Sequence, residues 1–448
     1  VCGACTMLVN GVPRQACAAL VDQLEQPIVL EPLTKFPLIR DLMVDRSRMF
    51  DTLLKVKAWV ELDGSWDIHR HAPLIPAEKQ DIRYVFSRCM TCGCCMEACP
   101  QFQLDTPFVG PAIFGQVDMQ NAHPTGEFQA ADRLHALMGP GGITDCGNAQ
   151  NCVEVCPKDI DIPGKAIEKL RELANRRGLT LPRHREVARL VQETGRSVER
   201  TGVTFLEQVP EVIEPDGPIR GEVGFFVGCM FNGRVPQTAL DAMEVMKRNG
   251  IRVIIPHEQV CCGSPLIRTG QTSIVDGLKE RNIEAFASRG IETVMTICAG
   301  CGATLKNDYE TPFVVKDVTE ILTEYGIEPP AKLDIRATYH DPCHLLRGQG
   351  IREQPRELLR QAVKEFVEMP VQCCGAGGGV RSGVPEEAMA LGAMRGEAVK
   401  ATGADVVVTV CPFCEFHIAD CTDVPVKNLT TILLEGYRKK DAEQEPSG

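Results

Sequence analysis

The segment IETVMTICAGC, residues 291–301, decides the fold of the second half of the chain. Its first part is rich in β-branched residues, which predicts a short buried strand. That strand would end at Cys298, and Cys301 follows in a C-x-x-C spacing. The same pattern returns in ADVVVTVCPFC, residues 404–414, where it ends at Cys411 and Cys414. A strand that leads directly into a pair of cysteines is therefore used twice.

Two further segments upstream of each copy also match. GEVGFFVGCM at 221–230 corresponds to DIRATYHDPCH at 334–344, and VIIPHEQVCCG at 253–263 corresponds to FVEMPVQCCG at 366–375. For three pairs of matching cysteines, the number of residues from the first copy to the second is the same within two residues. This agreement predicts a duplicated structural unit. The matching pairs are Cys229 and Cys343, Cys262 and Cys374, and Cys301 and Cys414.

Helical stretches separate the predicted strands of each copy. One runs from Gln237 to Asn249 and is followed by Gly250, a residue typical of a helix end. Strands that alternate with helices predict two α/β modules with largely parallel sheets. We call residues 221–330 the first module and residues 331–448 the second module. In such sheets ligands bind beyond the carboxyl ends of the strands, where these cysteines lie in the sequence.

A different cysteine motif lies upstream of the modules. RCMTCGCCMEACP, residues 88–100, has the C-x2-C-x2-C-x3-C-P spacing with which bacterial ferredoxins bind iron-sulfur clusters. In that arrangement three thiolates bind one cluster and the fourth binds the other. The four cysteines are Cys89, Cys92, Cys95 and Cys99.

A second run, DCGNAQNCVEVCP at 145–157, has Ala149 where the spacing requires its middle cysteine. One site therefore keeps four thiolates for a 4Fe-4S cluster, and the other keeps three for a 3Fe-4S cluster. Structural zinc is the alternative, although zinc sites use closed sets of four ligands. The predicted 4Fe-4S set is Cys89, Cys92, Cys95 and Cys156, and the predicted 3Fe-4S set is Cys99, Cys146 and Cys152.

The N-terminal segment VCGACTMLVNGVPRQAC, Val1 to Cys17, resembles the second half of a plant-type 2Fe-2S motif. The resemblance makes Cys2, Cys5 and Cys17 three of the four cluster ligands. The fourth ligand would lie upstream of Val1.

Composition restricts the classes of function. The chain has 448 residues, enough for about three domains, and its net charge of −12 disfavours a nucleic acid partner. Its 22 cysteines are too many to be incidental. No run approaches the roughly 18 apolar residues of a transmembrane helix. We therefore predict a cytoplasmic protein without a direct membrane span, any targeting signal lying in a segment before Val1.

Cysteine-free segments predict the domain boundaries. Residues 18–88 contain several prolines and are expected to form strand pieces and connecting segments, with a boundary near Pro76. Residues 1–76 would belong to the first domain and residues 77–165 to the second. Residues 166–220 would form a linker with helices of its own.

Residues 1–165 resemble the iron-sulfur subunit of succinate dehydrogenases and fumarate reductases. The resemblance rests on the first three cysteines, on CMTCGCCMEACP, and on the stretch from FVGPAIFGQVDMQNAHPTG through RLHALMGPGGITDCGNAQNCVEVCP. It implies a truncated plant-type ferredoxin (β-grasp) domain and an α-helical ferredoxin domain. It also implies that 2Fe-2S, 4Fe-4S and 3Fe-4S centres connect an FAD-containing flavoprotein partner with a second redox site. Quinone-reducing members often carry a Trp shortly after the first Cys-Pro, where this chain has Gln101-Phe102-Gln103. They also often carry a His after the first cysteine of the second run, where this chain has Gly147. These differences argue against quinone chemistry.

Residues 221–448 resemble the cysteine-rich CCG subunit of heterodisulfide reductases, since the order Cys, Cys-Cys-Gly, C-x-x-C occurs twice. The resemblance implies a noncubane 4Fe-4S cluster on each five-cysteine set, and a catalytic site on these clusters that cleaves a disulfide or joins two thiols. A zinc ion in one module, or a thioredoxin-like pair at one C-x-x-C, stays open as an alternative. The sets are Cys229, Cys261, Cys262, Cys298 and Cys301, and Cys343, Cys373, Cys374, Cys411 and Cys414.

Other residues near the motifs have less specific interpretations. Cys94 and Cys421 are left over and are expected to be packing residues. His340, Asp341 and His344 flank Cys343 and could move protons or hold the strand-to-helix turn through backbone hydrogen bonds. Four glycines are expected to let the backbone approach a cluster closely, because they lack the order of a nucleotide-binding loop: Gly375, Gly377, Gly378 and Gly379.

Taken together, the chain is predicted to be multidomain, with α+β and α/β parts, and resembles the B subunits of methanogen thiol:fumarate reductases. The resemblance implies an oxidoreductase subunit that couples oxidation of coenzyme M and coenzyme B to their heterodisulfide with fumarate reduction on the flavoprotein. One alternative is a quinone-linked succinate dehydrogenase or fumarate reductase subunit whose CCG domain is a membrane adaptor. Another is an electron carrier without a substrate site.

Overall fold

The computed structural model describes residues 3–61 and 74–444. The chain divides into two compact units. Unit 1 comprises Val1–Thr180 with Arg268–Gly270, and unit 2 comprises Leu181–Ile267 with Gln271–Gly448.

Unit 1 begins with small antiparallel sheets. Strands β1 and β2 form a hairpin whose turn residues, Asn10 and Gly11, both have positive φ, as the favoured two-residue hairpin turns require. Strand β3 pairs with the other edge of β1, and β4 pairs with β5. The bounds are β1 Thr6–Val9, β2 Val12–Gln15, β3 Leu30–Glu31, β4 Leu38–Arg40 and β5 Met43–Val44.

The rest of unit 1 is helical. Helix Ser47–Lys55, which buries Met49, lies in the segment that the sequence analysis reads as strand pieces and connecting segments. Helix Ala77–Ser87 buries Phe86 and begins just after the expected boundary near Pro76, in the part that the resemblance makes α-helical. Such single anchoring residues do not produce a long apolar period that the sequence would reveal. The bounds are α1 Ser47–Lys55, α2 Ala77–Ser87, α3 Cys94–Ala98, α4 Pro111–Asn121, α5 Ala130–Ala136, α6 Asn151–Glu154 and α7 Glu168–Arg176, with a π-helical turn at Pro163–Ile167.

Unit 2 opens with a helix and then forms the first module. The first module has a five-stranded sheet in the order β10-β9-β7-β8-β6, parallel except for β6. The predicted helix from Gln237 to Asn249 is confirmed as α10, and Gly250 follows it with φ of 77°. The bounds are α8 Pro182–Thr194, β6 Val212–Ile213, β7 Gly221–Phe226, α9 Cys229–Gly233, α10 Pro236–Arg248, β8 Ile251–Ile254, α11 Ser264–Ile267, α12 Val275–Ala287, β9 Thr293–Thr296, α13 Ala299–Asn307, β10 Val314–Asp317 and α14 Val318–Tyr325.

The second module repeats this plan with a four-stranded, fully parallel sheet in the order β12-β11-β13-β14. The expected pair of α/β modules with largely parallel sheets is therefore confirmed. The bounds are β11 Leu333–Tyr339, α15 Cys343–Leu346, α16 Glu353–Ala362, β12 Val363–Val367, α17 Val380–Gly383, α18 Pro385–Thr402, β13 Val406–Thr409, α19 Pro412–Ala419, β14 Val426–Asn428 and α20 Leu429–Gln444.

The two modules share one hydrophobic core within unit 2. Helix α20 packs on α10, and the Nδ2 group of Asn249 donates to the hydroxyl of Tyr437 at 3.0 Å. Arg248 of the first module forms ion pairs with Glu328 at 2.9 Å and with Asp441 at 2.6 Å. Arg248 and Asn249 directly precede strand β8, so these contacts join the two modules at the amino end of that strand, away from the cysteines that follow the carboxyl ends.

Candidate metal centres

Cysteines dominate the candidate sites. All the described cysteines are free thiols, and most are buried. Burial without a partner is costly for a thiolate, so groups of buried thiols indicate chemistry beyond packing. Cys2 lies outside the described residues.

Unit 1 brings together the four cysteines of the predicted 4Fe-4S site. Burial, together with the nearby thiolates of Cys89, Cys92 and Cys156, raises the pKa of Cys95 well above its usual value. The S–H group of Cys94 donates to the Cys92 thiolate, and this bond lowers the pKa of Cys92 to about 6. Cys94 is fully buried, as expected for a packing residue, and the structure adds this direct contact with a predicted ligand.

The three cysteines of the predicted 3Fe-4S site also lie together. Burial raises the pKa of Cys152 well above its usual value, and the thiolates of Cys99 and Cys146 raise it further. Ala149, which lies between Cys146 and Cys152 in the sequence, is buried with 5% of its surface exposed. The side chain at the missing cysteine position is therefore a methyl group without a donor atom.

The described part of the N-terminal motif holds Cys5 and Cys17 side by side. The backbone N–H and the S–H group of Cys17 both donate to Cys5, which lowers the pKa of Cys5. The backbone N–H of Ala16 donates to the carbonyl of Cys5 at 3.1 Å, and this bond closes the loop. Cys17 itself is exposed.

In the first module the five predicted thiols form one continuous chain of contacts. Sγ of Cys262 lies 3.5 Å from Sγ of Cys301. S–H groups of Cys261 and Cys301 donate to Cys262 and lower its pKa to about 6. Cys229 donates to Cys261, and Cys298 lies against Cys301. The backbone N–H of Gly263 also donates to Sγ of Cys261 at 3.4 Å.

The second module repeats this chain of thiols in the same order. Sγ of Cys374 lies 3.5 Å from Sγ of Cys414, which also contacts Cys411. The S–H groups of Cys343 and Cys374, in that order of effect, lower the pKa of Cys373 well below its usual value.

At the start of the glycine-rich loop the backbone approaches a cysteine sulfur. The backbone N–H of Gly375 donates to Sγ of Cys373 at 3.4 Å, which is the counterpart of the bond from Gly263 in the first module. Gly375, Gly378 and Gly379 all have positive φ, so the loop follows a path that favours glycine.

The two sets of five thiols adjoin within unit 2 at Gly300. The hydrogen bond that Cys411 accepts from the S–H group of Cys414 is the largest cause of its lowered pKa. Backbone N–H groups, including that of Gly300, lower the pKa further. A methyl group at Gly300 would lie 4.0 Å from Sγ of Cys298 and 3.6 Å from Nδ1 of His344. Gly300 lies between Cys298 and Cys301 in the sequence, and its backbone N–H acts on Cys411, so this residue of the first module lies next to both sets of thiols.

His340 and Asp341, the polar residues that precede Cys343, differ in their surroundings. The carboxylate of Asp341 accepts two hydrogen bonds from the buried guanidinium of Arg356, at 2.8 and 2.7 Å. The ring of His340 is fully buried and makes no hydrogen bond to any residue that the structure describes. Burial, and to a smaller extent the charge of Arg395, lowers the pKa of His340 well below its usual value.

Cationic side chains near the thiols were not identified from the sequence. Nη1 of Arg46 donates to the carbonyl of Cys92 at 3.0 Å, and Nζ of Lys35 donates to the carbonyl of Cys99 at 2.6 Å. Arg395 is buried beside the thiols of the second module. Each comes from a different element of structure than the cysteine it approaches, so no spacing rule could have found it.

These donor sets fit metal ions and iron-sulfur clusters. Thiolates are soft ligands that select Fe–S clusters and zinc, and backbone N–H groups that point at the sulfur atoms are typical of Fe–S sites. Several buried thiols within hydrogen-bonding distance cannot all ionise unless cations balance their charge. The chemistry of the donors therefore supports a metal centre at each set of described thiols.

No helix in the two described ranges is long and apolar enough to cross a membrane.

Three family models match the chain. A 2Fe-2S iron-sulfur cluster binding domain matches residues 1–51, and a 4Fe-4S dicluster domain matches residues 85–160. A cysteine-rich domain matches twice, at residues 223–306 and 337–419. These matches confirm the expected iron-sulfur cofactors and the two CCG modules.

One relative of named activity covers nearly the whole chain. The B subunit of the fumarate reductase (CoM/CoB) of Methanothermobacter marburgensis is 39% identical over 454 residues, which are 97% of this chain and 88% of the relative. The chain belongs to this family of fumarate reductase B subunits. The expected resemblance to these B subunits is thereby confirmed.

Two other relatives correspond to the two resemblances of the sequence analysis. The succinate dehydrogenase iron-sulfur subunit of Bacillus subtilis is 56% identical over 162 residues, 36% of this chain and 64% of that subunit. The D subunit of the dihydromethanophenazine:CoB–CoM heterodisulfide reductase of Methanosarcina barkeri is 30% identical over 396 residues, 78% of this chain and 93% of that subunit. This member of the B-subunit family is thus an iron-sulfur electron-transfer subunit of an oxidoreductase of the fumarate reductase type.

Proposed function

We propose that this protein is the iron-sulfur subunit of a thiol:fumarate reductase. In this proposal residues 221–448 oxidise two thiols to a disulfide, and an FAD-containing flavoprotein partner reduces fumarate. The observation that carries the proposal is that two thiol sets with the same internal order adjoin at Gly300, in a chain that also holds the cysteines of a dehydrogenase iron-sulfur subunit. The thiols we propose are coenzyme M and coenzyme B, after which the methanogen relative is named.

The proposed reaction is balanced in electrons and protons. Two thiols lose two electrons and two protons as the S–S bond forms between them. Fumarate takes up two electrons and two protons as its C=C bond becomes the single bond of succinate. Iron-sulfur centres, when bound, supply one-electron transfer, which allows the two half-reactions to take place at separate sites.

We assign each proposed centre to its own residues. Residues 1–76 and 77–165 would form the two ferredoxin-type domains, 166–220 the linker, and 221–330 and 331–448 the CCG modules. The proposed ligands are Cys2, Cys5 and Cys17 for 2Fe-2S, Cys89, Cys92, Cys95 and Cys156 for 4Fe-4S, Cys99, Cys146 and Cys152 for 3Fe-4S, and the two five-cysteine sets for noncubane 4Fe-4S clusters.

The protein's own residues prepare the proposed thiol site in two ways. Every cysteine of the two five-cysteine sets except Cys343 is buried, which keeps water away from the sulfur atoms. Backbone N–H groups of Gly263 and Gly375 stabilise negative charge on sulfur without adding a side chain. Such an environment favours thiolates that bind metal over freely exchanging thiols.

A quinone-linked enzyme is the second candidate, because the Bacillus subtilis succinate dehydrogenase subunit has the higher identity over the stretch that it matches. In that case the modules would act as a membrane adaptor. Gln101 and Gly147 stand where many quinone-reducing relatives have Trp or His, which favours the thiol reaction.

The decisive experiment uses the chain purified together with its flavoprotein. Fumarate-dependent oxidation of coenzyme M and coenzyme B should occur, and the activity should stay in the soluble fraction. Cys374→Ala should abolish thiol oxidation but keep fumarate reduction with an artificial dye, which does not need the modules. Cys421→Ala is the matched control, since it removes a second-module cysteine outside the thiol set. Quinol-dependent activity without thiol-dependent activity, or full thiol activity in Cys374→Ala, would refute the proposal.

A further inference from the structure

One buried residue distinguishes the second module from the first at the site of the thiols. His340 follows strand β11 and lies three residues before Cys343. The matching residue of the first module is Phe226, which ends strand β7 three residues before Cys229. Phe226 is fully buried against Phe286, with ring centroids 6.2 Å apart. The same place in the repeated fold is therefore apolar in one module and carries two nitrogen atoms in the other.

The nitrogen atoms of His340 have no hydrogen-bond partner among the residues that the structure describes. The side chain is fully buried, so water does not replace the missing partner at the surface. An unsatisfied buried polar group destabilises the folded state. Such a residue in the interior indicates that another group completes its environment.

The position of the ring shows where that group lies. A ring nitrogen of His340 and the Sγ atoms of Cys374 and Cys414 all lie within 4.8 Å of one another. The backbone holds the residue in place, because the N–H of His340 donates to the carbonyl of Val408 at 2.8 Å and its carbonyl accepts from Oγ1 of Thr409 at 3.2 Å. The ring is thus directed at the thiols by the sheet itself.

Nearby charged groups do not provide the missing partner. The carboxylate of Asp341 is held by both terminal nitrogens of Arg356. Arg395 carries only N–H donors, and its Nη1 already donates to the carbonyl of Pro370 at 2.6 Å. A guanidinium cannot accept a hydrogen bond, so the lone pair of a neutral His340 ring faces the thiols without competition.

The spacing of the three donors suits one metal ion. Metal–sulfur distances of about 2.3 Å in a tetrahedral site place two sulfur atoms roughly 3.8 Å apart, and the Cys374–Cys414 distance is 3.5 Å. The corresponding pair of the first module, Cys262 and Cys301, is also 3.5 Å apart. There, however, Phe226 offers no lone pair.

We propose that His340 is a nitrogen ligand of the metal centre in the second module. The first module then binds its centre through thiolates alone, and the second module through thiolates and one imidazole. This inference rests on the proposed function in one respect, namely that the second module holds a metal centre.

The test uses the full chain labelled with 15N-histidine, together with its flavoprotein. Pulsed EPR should detect a nitrogen coupling that changes with the isotope and is absent in His340→Phe, which copies the first module. Phe226→His, which copies the second module, should add a second such coupling. Metal analysis answers the same question without a paramagnetic signal: His340→Phe should lose the iron or zinc of one centre, and His340→Cys should retain it without the nitrogen coupling.

Three results would overturn the assignment. One is a coupling that persists in His340→Phe, since it would come from another histidine. A second is a coupling that disappears in His340→Phe while the metal content and the g values stay unchanged, since this result would indicate a hydrogen bond from the ring and not a metal–nitrogen bond. The third is unchanged metal content and no coupling at all. If the wild-type chain contains no more metal than the ferredoxin-type centres and the first module account for, the proposed function fails instead, because the second module then holds no centre.

Discussion

A buried ion pair next to the second thiol set should be a main determinant of the stability of unit 2. Arg356 and Asp341 have side chains only 2% and 3% exposed and are joined by two hydrogen bonds of 2.8 and 2.7 Å. Arg356→Met keeps much of the length of the side chain but leaves Asp341 buried without its cation. Removing one partner from a buried pair costs about 3–5 kcal/mol, so the variant should lose roughly this much stability.

Thermal unfolding of the metal-loaded chain measures the effect. At about 2–4 °C per kcal/mol for a domain of this size, the apparent midpoint should fall by roughly 6–20 °C at constant scan rate. The control is Lys364→Met, which breaks an exposed pair with Asp334 whose N–O distance is also 2.8 Å but whose side chains are 70% and 76% exposed. Solvent screens that pair, so the midpoint should not change measurably.

A double variant separates the two causes of the loss. Arg356→Met combined with Asp341→Leu removes both charges, and replacing a whole buried pair by apolar residues is often nearly neutral. The double variant should therefore recover most of the midpoint. If it is as unstable as Arg356→Met alone, lost packing and not an uncompensated charge is responsible. If Arg356→Met behaves like Lys364→Met, the reasoning from burial is wrong.

The remaining predictions concern the metal centres and pH. Ala149→Cys should restore the cluster spacing, so the chain should gain one iron and lose the oxidised-state EPR signal of the 3Fe-4S cluster; an unchanged signal at full iron occupancy would contradict the assignment. Gly228→Ala should lower the iron content of the first module, because the added methyl group would lie 3.0 Å from Sγ of Cys301 and because Gly228 has a φ of 73°. The control is Gly217→Ala, which should have no effect because its methyl group would have no atom within 4 Å. Burial raises the pKa of Asp118 to about 7 in the folded protein, whereas an Asp carboxyl in the unfolded chain has a pKa of about 4. Between these two pH values the carboxyl is protonated in the folded state and ionised in the unfolded state. Stability should therefore fall between about pH 4 and pH 7 and fall less in Asp118→Asn, and parallel midpoint curves for the two proteins would contradict this.

Local pattern was sufficient to predict the elements that carry the thiols. Strand β9 ends two residues before Cys298 and β13 two residues before Cys411, as the apolar runs indicated. Helix α10 was predictable because its period and its terminal Gly250 are both local signals. Helix α1 was not, since its single buried anchor, Met49, depends on packing that distant segments provide.

The charges around the thiols could not be predicted for the same reason. Arg46 reaches Cys92, and Arg395 reaches Cys374, from elements that only the tertiary fold brings beside these cysteines. The repeat pattern aligned His340 with Phe226, yet only the burial and missing partners of the ring show that this difference concerns the thiol site.

The two modules therefore share the five thiols but differ in the charges around them. Helix α12 of the first module presents the neutral Asn282, which accepts from the N–H of Val260 at 2.8 Å and donates to the carbonyl of Cys261. The matching helix α18 of the second module presents the buried cation Arg395. Negative charge that arrives on sulfur or metal is stabilised by a buried cation and not by a neutral amide. At this helix position the second module therefore stabilises negative charge better than the first, although both offer the same five thiols.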